Sequence, residues 1–114
     1  MKTVLIFLFI AVSNMALGAV GDKVTTQPFV VEEIRVQLYQ GDAYYYFSPA
    51  GKDWLAQGCP STPYAYIKES DAGAKAILSV ALTSKSTKTA VKFIGNCGDI
   101  NQNPGYINIT NIVM

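Results

Sequence analysis

Apolar residues recur at helical spacing in one stretch of the chain and alternate singly in several others. Between Ser70 and Thr89, Ala74, Ile77, Leu78, Ala81 and Leu82 step along one helical face, with Lys75, Ser79, Thr83 and Ser86 opposite. Asp71 or Ser70 is placed to cap the first turn, since a short polar side chain accepts a backbone N–H there. Lys85 and Lys88 fall at the C-terminal end, where the helix dipole favours cations. After Thr89 the period becomes extended, with Val91 and Phe93 on one side, Lys92 and Ile94 on the other, and Cys97 closing the run.

Four further alternating runs predict strands. In 30–39, Ile34, Val36 and Leu38 share one face, and Glu33, Arg35, Gln37 and Tyr39 the other. Gly41-Asp42 suits a tight turn, so Ala43–Phe47 should return as the antiparallel partner. Tyr64–Lys68 reads as a third strand, with Ala65 and Ile67 facing opposite to Tyr64 and Tyr66. Tyr106–Met114 is the last, and its parity slips: Ile107 and Ile109 share one face, Ile112 and Met114 the other. A bulge near Thr110–Asn111, or a strand that changes sheets, accounts for the slip. Ser48–Pro63 and Gly95–Gly105 are broken by proline, glycine and asparagine and read as long loops.

The predicted order is therefore β-β-β-α-β-β, mainly β with one helix. It matches an OB-like five-stranded barrel. The alternative is an α+β arrangement with one helix on an antiparallel sheet.

The first residues fit neither reading. Lys2, the apolar run Val4–Val12 and Ala16-Leu17-Gly18 have the layout of a signal peptide cleaved after Gly18. Residues 1–18 are thus read as a leader, 19–29 as a loose polar arm, and 30–114 as one domain, secreted or periplasmic, with no membrane span. Loss of Lys2 would balance the charges, because the chain has nine basic and eight acidic residues. That balance gives no electrostatic reason to expect nucleic acid as a partner. In an exported chain the two cysteines, Cys59 and Cys97, are expected to form a structural disulfide.

The segments VVEEIRVQLY, YYYF, AKAILSVALTSKST and AVKFIGNC, in this order and with one cysteine pair, resemble the B subunits of bacterial AB5 toxins. The nearest likeness is to the subtilase cytotoxin and typhoid toxin branch. The resemblance implies a secreted, non-catalytic OB-fold binding subunit. Such a subunit forms a homo-oligomer, by expectation a pentamer, binds a glycan or glycoprotein receptor, and partners a toxin A subunit. In that branch a glycan-binding serine stands early in the first strand. Glu32 is at the matching position here, and its carboxylate would repel that of a sialic acid.

Candidate chemistry is sparse. The sequence has no histidine, which removes the commonest general base and the triads built on it. Oxidised cysteines would leave no thiol nucleophile or thiolate metal site. Glu32 and Glu33 are adjacent on a strand and point to opposite faces, while Asp53 and Asp99 lie in different loops. No enzyme activity, metal or cofactor is expected. Binding is better served. One face of Tyr44-Tyr45-Tyr46-Phe47 should pack inside, and the other, Tyr44 and Tyr46 or Tyr45 and Phe47, should be at least partly exposed. Trp54 is either a ligand platform or a lid over the core. Asn101 and Gln102, in an amide-rich loop, could bond sugar hydroxyls or simply favour turns. The acceptor pattern Asn108-Ile109-Thr110 falls inside a predicted strand and is discounted as a glycosylation site. The other functional classes compatible with this chain are a small secreted inhibitor or protein-interaction module, and a structural exported protein.

Overall fold

The computed structural model describes residues 22–98 and 105–114. The elements are β1 (Lys23–Thr25), β2 (Glu33–Tyr39), β3 (Asp42–Ser48), β4 (Tyr64–Lys68), α1 (Ala74–Thr87), β5 (Lys92–Cys97) and β6 (Tyr106–Val113). The five expected strands and the helix are all present, and β1 is added ahead of them. The leader and its cleavage site lie outside the described residues.

The strands form one six-stranded sheet in the order β1-β5-β6-β4-β3-β2. Every pairing is antiparallel except β4 with β6, which is parallel. This corrects the expected five-stranded barrel, because β1 and β2 stand at opposite edges and do not meet. The sheet of the alternative reading is corrected too, from antiparallel to mixed. Part of the arm expected to be loose is ordered by its partner strand. Val24 is buried, the Thr26 N–H donates to the Phe93 carbonyl at 2.9 Å, and the Thr26 hydroxyl accepts the Phe93 N–H at 2.9 Å. Three alternating residues are too few for this pairing to be read from periodicity.

The helix lies over one sheet face, and its buried row is Ala74, Ile77, Ala81 and Ser84. Relative to the expected face, Ser84 replaces Leu82, which is 50% exposed. The reason is polar: the Ser84 hydroxyl accepts the Val31 N–H at 3.0 Å and donates to the Thr89 carbonyl at 2.6 Å, tying the helix end to both neighbouring segments. The expected side-chain cap from Asp71 or Ser70 is not made. Gly73, with φ of 82°, takes the cap position, and the Asp71 carbonyl accepts the Ala74 N–H at 3.1 Å. The tight backbone turn replaces the side chain and requires a residue tolerant of positive φ.

Beneath the helix, Phe47 and Phe93 stack with centroids 5.5 Å apart, among Val31, Val91, Ile107 and Ile109. The slip in β6 is a bulge. Ile94 pairs with Asn111 and Gly95 with Ile109, which leaves Thr110 unpaired and returns Ile112 to the core side. Gly95 is required beside it, since a Cβ there would lie 2.1 Å from the Asn108 carbonyl oxygen. Cys59 and Cys97 form the expected disulfide and anchor the loop after β3 to the end of β5. No helix among the described residues is long and apolar enough to cross a membrane.

Candidate functional site

Alternation along β3 and β4 sends Tyr44, Tyr46, Tyr64 and Tyr66 to the sheet face opposite the helix. Register then brings them together, with Tyr46 directly across from Tyr66. The parallel β4–β6 pair sets Tyr106 beside Tyr64, and β2 adds Tyr39 next to Tyr44. Six of the seven tyrosines thus share one face. The seventh, Tyr45, points to the other side and donates its hydroxyl to Glu69 at 2.6 Å. That bond raises the Tyr45 pKa, since the neutral phenol is the donor.

The rings pack in a continuous patch. Tyr46 stacks on Tyr66 at 5.7 Å and meets Tyr64 edge-on at 5.7 Å, while Tyr64 meets Tyr106 edge-on at 5.6 Å. Such offset and edge-on contacts are the arrangements that the ring quadrupole favours. Tyr44 and Tyr66 are buried at the centre, Tyr46, Tyr64 and Tyr106 are half-buried, and Tyr39 is exposed at the margin. The Asn108 amide donates to the Tyr66 hydroxyl at 3.2 Å.

One corner of the patch is cationic. The Arg35 guanidinium lies 5.3 Å and the Lys52 ammonium 5.6 Å from the Tyr64 ring centroid, within cation–π range. Both cations hold the Glu33 carboxylate, Arg35 through Nη2 at 2.8 Å, and the Ser48 hydroxyl donates to it at 3.2 Å. The Lys52 and Arg35 bonds lower the Glu33 pKa from 4.5 to about 2. A carboxyl depressed in the folded state stabilises the fold above its ordinary pKa, and that contribution drains away as pH falls toward about 2. Thermal midpoints measured from pH 6 down to 2 should therefore drop more steeply for the native protein than for Glu33→Gln. Parallel curves would show that the corner contributes nothing.

Of the residues singled out from sequence, the structure brings Tyr44 and Tyr46 together on this face. Trp54 is elsewhere: it is fully buried against Phe93 on the helix side, with its Nε1 donating to the Phe47 carbonyl at 3.0 Å. Of its two readings the lid is the observed one, and the ring presents no surface to a ligand. Glu32 is exposed just before β2. Its N–H donates to the Ser48 carbonyl and its carbonyl accepts Lys85 Nζ at 2.6 Å. Asn101, Gln102 and Asp99 lie outside the described residues. Periodicity does not mark Tyr39, Tyr64, Tyr66, Tyr106, Arg35 or Lys52 as site residues, although it shows the shared parity of Tyr64 and Tyr66. Strand register, which sequence does not carry, is what joins them to Tyr46.

Among the described residues, no group of three or more potential metal-ligating side chains is gathered. Asp53 accepts the Leu55 N–H at 2.9 Å, the Thr62 N–H at 3.1 Å and the Thr62 hydroxyl at 3.2 Å. These bonds, the Leu55 N–H foremost, lower its pKa and commit it to holding the loop. No protein-family model, curated protein or solved structure matches the chain.

Proposed function

We propose that this protein is an exported, non-catalytic binding module that holds a glycan, free or on a cell-surface glycoprotein, against its tyrosine face. The carrying observation is the gathering of six tyrosines on one sheet face, with two cations over the ring of Tyr64. Strand propensity accounts for tyrosines in strands. It does not account for their segregation, because the opposite face of the same strands carries Phe47, Ala65, Ile67 and Ile107. A tyrosine ring offers a flat apolar surface to the C–H face of a sugar and a hydroxyl to its rim. Asn108, Gln37 and the paired Lys68 and Asp42 supply polar groups around the patch. Arg35 and Lys52 share the single carboxylate of Glu33, which leaves only one net positive charge at this corner, so a neutral or singly charged sugar fits better than a multiply charged one.

The disulfide supports an oxidising compartment. The lack of histidine and the engagement of Glu33 and Asp53 in structural bonds support the non-catalytic reading. A toxin A subunit as partner and a ring of five rest on the sequence resemblance alone.

A glycan array followed by titration calorimetry on the best hit tests the reading. Tyr46→Ser and Tyr64→Ser should each weaken binding about tenfold, as the loss of one well-packed aromatic contact does, without change in the far-UV circular dichroism spectrum. No retained glycan, or variants that bind like the native protein, would overturn it.

A further inference from the structure

The two edges of the sheet are built differently. β1 is three residues long, begins with Lys23 and is followed by Pro28, all features that discourage a further strand from pairing. β2 is seven residues long, contains neither lysine nor proline, and has β3 as its only neighbour among the described strands. Its apolar row is uncovered: Ile34 packs on the core, but Val36 is 61% and Leu38 79% exposed. Leu82, half exposed, lies one turn before Lys85, whose ammonium reaches the Glu32 carbonyl, so it adds apolar surface beside this edge.

The backbone polarity of the edge follows from the hairpin. Gln40 and Gly41 both have positive φ, 51° and 84°, as in a two-residue type I′ turn. Such a turn closes on a hydrogen-bonded pair, here Tyr39 with Asp42. Alternation then turns the N–H and C=O groups of Glu33, Arg35, Gln37 and Tyr39 toward β3, and those of Ile34, Val36 and Leu38 toward the free edge. The residues with unpaired backbone groups are therefore the same ones that carry the uncovered apolar row.

We propose that two copies of this chain join β2 to β2, antiparallel, about a two-fold axis at Val36. In that register Val36 faces Val36 of the second copy and Ile34 faces Leu38, each as a hydrogen-bonded pair. On the other face Glu33 meets Tyr39 and Arg35 meets Gln37, so no like charges are directly opposed. The pairing closes on itself, as an isologous contact must. It merges the two sheets and sets the two tyrosine faces side by side. One strand edge with Leu82 is smaller than a standard interface of about 800 Å² per partner, so the pair dissociates on dilution. This pairing does not depend on the glycan reading.

Sedimentation equilibrium over a range of concentrations tests it. The expected result is a reversible species of two chains that is lost in Val36→Lys, which sets two like charges on the axis at a site exposed enough to keep the monomer folded. A second variant tests the register. Hydrogen-bonded antiparallel neighbours lie about 5.5 Å apart at Cα, within disulfide range. Val36→Cys should therefore crosslink two chains on oxidation, and Gln37→Cys should not. A monomer at all concentrations, a five-chain species, a dimer indifferent to Val36→Lys, or equal crosslinking by both cysteine variants would overturn the proposal.

Discussion

Trp54→Ala is expected to destabilise the protein by about 3–5 kcal/mol, the range for truncating a large buried aromatic. Trp54 has no exposed surface, meets Phe93 edge-on at 5.0 Å and lies 6.2 Å from Phe29. Alanine would leave a cavity beneath the loop and would strip the Phe47 carbonyl of the indole N–H at 3.0 Å. The loss would also spread along the backbone. The Trp54 N–H donates to the Thr62 carbonyl at 2.8 Å, and its carbonyl accepts the Gln27 N–H at 3.0 Å, so the residue joins the arm to the loop. Single small domains have total stabilities of roughly 5–15 kcal/mol, so this one change approaches the limit of folding. Urea unfolding followed by far-UV circular dichroism measures it. Trp54→Phe, which restores much of the volume but not the hydrogen bond, should recover more than half of the loss. A loss under about 1 kcal/mol for alanine would mean that the ring is not the lid described here.

The second large effect is expected at the disulfide. Replacing both Cys59 and Cys97 by serine should cost roughly 4 kcal/mol in the chain-entropy account, for a bridge with a sequence separation of 38. The bridged segment contains β4, α1 and β5, that is, a central strand of the sheet together with its cover. Unlinked, the unfolded chain gains the freedom to separate these parts, and the loop that carries Trp54 loses its anchor on β5. The thermal midpoint of the native protein should fall on reduction to that of the double variant, and the variant should ignore reductant. A native protein equally indifferent to reductant would show that the bridge contributes nothing to stability.

Much of the local structure was legible from the chain itself, because helix and strand periods are carried by neighbours in sequence. The row Ala74, Ile77, Ala81 places the helix, and the parity break between Ile109 and Ile112 locates the bulge to within a residue of Thr110. Alternation sets Val91 and Phe93 on one side of a strand, and both are buried. The cysteine pairing followed from there being only two candidates. Leu82 and Ser84 show the limit of periodicity. Hydrophobicity alone favours Leu82 for the core, yet Ser84 is taken in because two backbone groups from other segments require its hydroxyl.

What the chain order alone determined is therefore which side chains share a face within each element. The tertiary structure alone decided which elements lie beside which. A three-residue strand at Lys23–Thr25 exists only because β5 offers it an edge. β2 pairs only with β3 and does not reach β5 or β1, which leaves what was expected to be a barrel as an open sheet, while the parallel β4–β6 pairing carries Tyr106 to Tyr64. The place of β2 at the margin uncovers Val36 and Leu38, although their alternation reads like that of a half-buried strand. The physical reason is common to all three. Side-chain alternation is a property of a few consecutive residues, whereas strand order and register arise from hydrogen bonds and packing between segments far apart in sequence. The tyrosine face is a product of both, with its parity written in each strand and its assembly written only in their order.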